Sequence, residues 1–152
     1  KLLKEAKSPI VLAGNGCIRK RASQSLRNFC ELTGIGVIST FMAKGCVDVD
    51  SSYCLYTIGL GAKDIPNLAL DQADLVIALG FDMVEYQPRI WNPNRDKRII
   101  HADFEAGEID QYFHPEVELV GDLSLMLDQL CTRIKETPEI ADNVHYLVGL
   151  FM

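Results

Sequence analysis

Two short apolar runs, Pro9-Ile10-Val11-Leu12-Ala13 and Asp74 to Leu79, each stop at glycine, the first at Gly14-Asn15-Gly16 and the second at Gly80. Such runs are short for a buried helix, and they lack the polar alternation of a strand with one wet face. They read as strands buried on both sides, the habit of a parallel sheet.

The segments between them carry helical spacing. Ala22, Leu26, Phe29, Cys30 and Thr33 share one face, and Gly34 supplies a stop. A second strand spans Gly36 to Phe41, followed by a long connection rich in Gly, Asp and Ser as far as Gly59-Leu60-Gly61. A helix is expected from Ala62 to Gln72, with Pro66 tolerated in its first turn. Beyond Gly80 a polar and aromatic loop runs to Pro93. A further strand, Lys97 to Ala102, ends at Asp103, and a short helix is expected over Glu105 to Asp110. After the strand Val117-Glu118-Leu119-Val120, Asp122 is placed to cap a helix whose apolar stripe is Leu123, Met126, Leu127, Leu130, Cys131 and Ile134.

Strands alternating with helices imply an α/β fold: a doubly wound, mostly parallel sheet of five to six strands with helices on both faces. The expected domain spans residues 1–136. Residues 1–7 read as the end of a linking helix with no cap ahead of it, which suggests a piece of a longer polypeptide. Pro138 breaks the last helix, and 137–152 read as a linker or tail, apolar from Val144 to Met152.

The 152 residues include 15 basic and 21 acidic side chains, a formal charge of -6 that disfavours phosphate backbones and anionic lipid surfaces. Neither nucleic acid nor a membrane is an expected partner, and no apolar run approaches the roughly 20 residues of a membrane span. Five cysteines (Cys17, Cys30, Cys46, Cys54, Cys131) form no Cys-x-x-Cys pair, so reduced thiols in a cytoplasmic protein are expected.

Gly14-Asn15-Gly16 lies between a strand and a segment carrying Arg19, Lys20 and Arg21, where backbone N–H groups could hold an anion. The third glycine of G-x-G-x-x-G is replaced by Arg19, so a plain structural turn is as good a reading. Gly59-Leu60-Gly61 has the same two readings. Asp103, at a strand end, could accept from ribose hydroxyls. Cys17 sits where a helix N-terminus could lower a thiol pKa and make it a nucleophile, but no His lies in the same loop and a buried structural cysteine is the commoner case. His101 reads as a strand residue satisfied in place and His114 as part of a surface turn. Asp82 and Glu85 read either as a carboxylate pair or as part of a solvated loop. No phosphate-binding G-x-x-x-x-G-K-[ST] loop and no G-x-S-x-G elbow occurs. No complete catalytic or metal-binding set is present.

With the elements placed, the sequence from Ser8 to Ile134 resembles the central domain of thiamine-diphosphate enzymes of the acetolactate synthase type. The matching blocks are Pro9 to Gly16, Thr40-Phe41-Met42-Ala43-Lys44-Gly45, Gly59-Leu60-Gly61, Ala73 to Gly80, Ile100-His101-Ala102-Asp103 and Val117 to Asp122. The resemblance implies a carboligating enzyme that decarboxylates pyruvate and joins the acyl carbanion equivalent to a second keto acid. Thiamine diphosphate and Mg2+ would be held by N- and C-terminal catalytic domains of the same polypeptide, a homo-oligomer at full length, and the present piece alone would be inactive. The diphosphate motif, Gly-Asp-Gly through Asn-Asn, is absent, since Gly121-Asp122 is followed by Leu123.

In the biosynthetic branch of that family the resemblance implies FAD along the C-terminal strand edge. By position, Gly14 and Gly16 would approach its phosphates, Gly61 and Asp82 would flank the dinucleotide, and Asp103 with Asp122 would meet the ribose or adenine end. An ADP-like nucleotide is the other ligand of that shape. That branch shows Gly-x-Arg-Phe-Asp-x-Arg after the third strand, whereas here Gly80-Phe81-Asp82-Met83-Val84-Glu85-Tyr86 has no arginine before Arg89. Glu85-Tyr86, Pro88 and Trp91-Asn92 look more like the flavin-independent branch. The alternatives are a sibling thiamine-diphosphate decarboxylase or lyase, and a stand-alone nucleotide-binding module.

Overall fold

A computed structural model describes residues 1–59 and 65–137. In chain order the elements are α1 (Leu2–Glu5), β1 (Pro9–Ala13), α2 (Gly16–Arg19), α3 (Ser23–Thr33), β2 (Gly36–Thr40), a 3-10 turn (Phe41–Ala43) and β3 (Cys54–Ile58). They continue with α4 (Ile65–Gln72), β4 (Leu75–Leu79), α5 (Pro88–Trp91), β5 (Arg98–Asp103), β6 (Val117–Val120) and α6 (Leu123–Lys135).

All strand pairs are parallel, in the order β3-β2-β1-β4-β5-β6. Every residue of β1 and β4 is buried, because these are the central strands and helices cover both their faces. The period of two along a strand divides the core. Val11, Ala13, Ile77 and Leu79 face Leu26, Phe29 and Cys30 of α3 and Leu123, Leu127 and Ile134 of α6. Ile10, Leu12, Val76 and Ala78 face the other way, towards Leu70 of α4, Trp91 of α5, Phe81 and Phe113. This is the doubly wound α/β sheet that the alternation of strand and helix implies.

Local signals account for the helix ends. Gly34 closes α3 in the left-handed conformation, φ 68°, with its N–H on the carbonyl of Cys30. Asp122 caps α6, its Oδ1 accepting the N–H of Leu125 at 2.9 Å.

Three expectations need correction. The connection between β2 and α4 contains a strand, β3, at the sheet edge. Its pairing with β2 shifts register between Val37 and Ser39, and Tyr56 has φ 66°, so its alternation is broken and four of its five residues are not fully buried. The expected helix over Glu105 to Asp110 does not form. Side chains take up its backbone donors instead: Gly107 N–H donates to Glu118 at 2.7 Å, and Asp110 Oδ1 accepts from Tyr112 and Phe113 at 2.7 and 2.6 Å. Inside the loop after β4, Pro88 starts the single turn α5. The helix expected from Ala62 is described from Ile65; Gly61 and the tail 138–152 lie outside the described residues.

Candidate functional site

In this strand order the chain leaves in opposite directions from β1 and β4, and the crevice between their C-terminal ends is where an open α/β sheet takes ligands. Two glycine turns meet there. The N–H of Gly14 donates to the Leu79 carbonyl at 2.9 Å, the N–H of Gly16 to that of Gly80 at 2.8 Å, and the N–H of Gly80 to that of Ala102 at 2.8 Å. Their backbones lie so close that a Cβ on Gly14 would fall 2.4 Å from the Gly80 carbonyl oxygen, and one on Gly16 would fall 2.6 Å from Gly80 Cα. Glycine at both positions serves the packing of loop on loop.

Above this seam is a cavity of about 450 Å³, open to solvent. Its walls include Arg19, Lys20, Asp82, Glu85, Asp103 and Glu105. Lys20 places its ammonium 4.1 Å from the centre of the Phe104 ring, a cation–π contact. The segment after the first turn is less of an anion site than its three basic residues suggest. It forms a single helical turn, α2, and Arg21 then takes φ 55° before α3 begins.

Of the residues that the resemblance would set along a dinucleotide, the structure brings Gly16, Asp82 and Asp103 to this cavity. Asp82 Oδ1 accepts the N–H of Val84 at 2.9 Å, and Asp103 Oδ1 accepts that of Phe104 at 2.6 Å, so each shapes its own turn. Gly14 lies beneath, in the seam. Asp122 is not among the lining residues and is engaged as the α6 cap.

Glu85 has the larger role. Its carboxylate accepts the N–H of Asn15 at 3.1 and 3.0 Å, the hydroxyl of Thr40 at 2.5 Å and the N–H of Asp82 at 3.2 Å. Asp82 and Glu85 are thus no proton-sharing carboxylate pair. Glu85 instead ties the ends of β1, β2 and β4 together. The sequence signal was its acidity beside the strand end; its partners, 70 and 45 residues away, could not be read from a linear pattern.

The rest of the loop is anchored from beneath. Trp91 Nε1 donates to the Tyr86 carbonyl at 3.3 Å, the Tyr86 hydroxyl donates to Asn67 at 2.7 Å, and the buried Asn92 amide donates to the Tyr112 carbonyl at 2.8 Å. His101, 2% exposed, lies 3.3 Å from Glu118 and meets Phe113 edge-on. It is held in place, as its strand position implies, and His114 is exposed.

Cys17 is fully buried, and its thiol donates to the Leu79 carbonyl at 3.2 Å. Burial pushes this thiol well above its ordinary range and pushes that of Cys46 up to about 11. Neither is a poised nucleophile. Because the fold holds these thiols neutral above the unfolded value of 9.0, their contribution is intact below that pH and is lost as pH rises through the folded values. The urea midpoint is therefore expected to fall between pH 9.0 and about 11, with a smaller fall in Cys46→Ala. An equal slope in that variant would contradict the assignment. Among the described residues no cluster of three or more His, Cys, Asp or Glu side chains could hold a metal ion, and no helix is long and apolar enough to cross a membrane.

The family model described as thiamine pyrophosphate enzyme, central domain, matches residues 1–130. Among curated proteins the chain is similar to the acetolactate synthase large subunit of Corynebacterium glutamicum, 36% identical over 157 residues, covering 99% of this chain and 25% of that protein. It is also similar to the acetolactate synthase of Bacillus subtilis, 33% identical over 130 residues, 84% of this chain and 23% of that one. A probable acetolactate synthase large subunit of Methanocaldococcus jannaschii is 33% identical over 154 residues, 99% and 26% respectively. The chain spans about a quarter of the length of these relatives.

Proposed function

The chain belongs to the family of thiamine pyrophosphate enzyme central domains, and from that premise we propose that it is the scaffolding domain of an acetolactate synthase-like enzyme. That enzyme would decarboxylate pyruvate and join the two-carbon unit to a second keto acid. The observation that carries this reading is the family match over residues 1–130, joined by relatives at 33 to 36% identity that bear the name acetolactate synthase.

The described residues do not fit thiamine diphosphate and its metal. Gly121-Asp122 is followed by Leu123, Asp122 is engaged as a helix cap, and no cluster of metal-binding side chains exists among them. We therefore assign the cofactor and Mg2+ to N- and C-terminal catalytic domains of one polypeptide, which assembles as a homo-oligomer in the cytoplasm. This domain contributes rigidity. Its sheet edge is locked by Glu85, and its candidate nucleophile and histidine are buried and engaged.

The 152-residue chain, supplied with thiamine diphosphate, Mg2+ and pyruvate, is expected to form no acetolactate, while the complete polypeptide that carries it forms acetolactate under the same conditions. Turnover by the chain alone, or a complete polypeptide that consumes pyruvate without carboligation, would each reject the assignment.

A further inference from the structure

Three donors from three strand ends meet on one anion at the switch point, and the chain itself supplies that anion. The N–H of Asn15, the N–H of Asp82 and the hydroxyl of Thr40 come from three different strand ends and converge on the Glu85 carboxylate at 2.5 to 3.2 Å. Gly14 permits the approach, since a Cβ there would stand 2.8 Å from Glu85 Oε1. Backbone donors and a bare Cα around two anionic oxygens are what a phosphate receives at a glycine turn of this fold.

We propose that Glu85 is a built-in anion filling the phosphate seat of the switch-point crevice, so that this domain excludes flavin and other phosphate-bearing nucleotides. Occupancy is the first ground. The donors that would greet a diphosphate at this turn are already engaged by Glu85.

Charge is the second. Asp82, Asp103 and Glu105 share the cavity wall with Glu85, against Arg19 and Lys20. A diphosphate entering beside Glu85 would set like charges together at the mouth of the crevice, which weakens its binding. Space is the third. The Cα atoms of Gly14 and Gly16 are faced by the backbone of Gly80, not by an open cradle, so no room for a phosphate lies on that side. The FAD that the fold family implies does not fit these residues.

The test is titration of the full chain with FAD, ADP and inorganic pyrophosphate, followed by flavin fluorescence, calorimetry and thermal unfolding. The parent chain is expected to retain no flavin and to show no rise in Tm with any of the three. Glu85→Ala, which frees the three donors and removes the charge, is expected to bind pyrophosphate and ADP at least about tenfold more tightly than the parent. Glu85→Gln, which keeps the shape and removes only the charge, should show a smaller gain in the same direction. Stoichiometric flavin in the parent chain overturns the proposal. So does a folded Glu85→Ala that gains no affinity. If that variant does not fold, Glu85→Gln decides, and no gain in pyrophosphate or ADP affinity there overturns the proposal as well. None of these outcomes depends on carboligation, so exclusion can fail while the scaffolding role stands.

Discussion

Trp91→Ala is expected to lower the folding free energy by about 3–5 kcal/mol, seen as a large fall in urea midpoint with little change in slope. Trp91 sits on the single turn α5 and is 1% exposed. Its ring meets Phe81 at 6.2 Å and 77° and Phe113 at 6.3 Å and 81°, both edge-on, while Phe81 and Phe113 approach within 5.9 Å of each other. Such a triad contributes beyond its buried area, since each edge-to-face pair adds about 0.5–1.5 kcal/mol. Removal also takes away the indole N–H that donates to the Tyr86 carbonyl at 3.3 Å. A one-turn helix cannot close over the gap by its own stability, so the loop from Gly80 to Pro93 should loosen as a unit. The neighbouring Ile90 is 53% exposed, and Ile90→Ala is expected to change stability by no more than about 0.5 kcal/mol. Equal effects of the two substitutions would show that the loop is not anchored through the aromatic triad.

That loop separates what a sequence can disclose from what it cannot. β1 and β4 were legible because a short apolar run that stops at glycine has few other uses, and both are buried throughout. The α6 cap and the α3 stop were legible because Asp122 and Gly34 act within three or four residues of themselves. β3 was hidden because Tyr56 leaves the extended region and the strand lies half-exposed at an edge, where neither alternation nor an apolar run is needed. The missing helix over Glu105 to Asp110 was hidden for another reason. Its fate is settled by Glu118 and the His101 ring, 11 and 6 residues from Gly107, which take its N–H and its open face.

The candidate site was legible in place more than in role. The strand end followed by Gly14-Asn15-Gly16 lies at the crevice between β1 and β4, with Asn15 and Gly16 in the cavity wall. Glu85-Tyr86 and Trp91-Asn92 stand out as a residue pattern, but a pattern does not say what each side chain touches. In the fold they divide the work, with Glu85 holding the crevice from above while Tyr86, Trp91 and Asn92 pin the loop from below. The latch and the anchor are separate, so substitutions at Glu85 and at Trp91 bear on different properties: what the crevice admits, and how firmly the loop is held.

Gly80→Ala is expected to be about as damaging as loss of the tryptophan, roughly 2–5 kcal/mol, because two costs fall on one residue. Gly80 has φ 56°, a conformation in which a Cβ is strained wherever it points. The added Cβ would also stand 2.7 Å from the Cys17 nitrogen, 2.7 Å from Gly16 Cα and 2.8 Å from the Gly16 carbonyl carbon. All three are backbone atoms, and they cannot retreat without breaking the 2.8 Å bond from the Gly16 N–H to the Gly80 carbonyl, which joins the two turns at the switch point. Gly45 isolates the first cost from the second. It has φ 93° and nothing within 4 Å of an added Cβ, so Gly45→Ala should cost only the backbone strain, about 1–2 kcal/mol. Chemical denaturation of both variants against the parent measures the difference. A Gly80→Ala penalty no larger than that of Gly45→Ala would mean that the β1 and β4 turns are not packed backbone on backbone. A larger one locates the rigidity of the crevice in the contact between those turns.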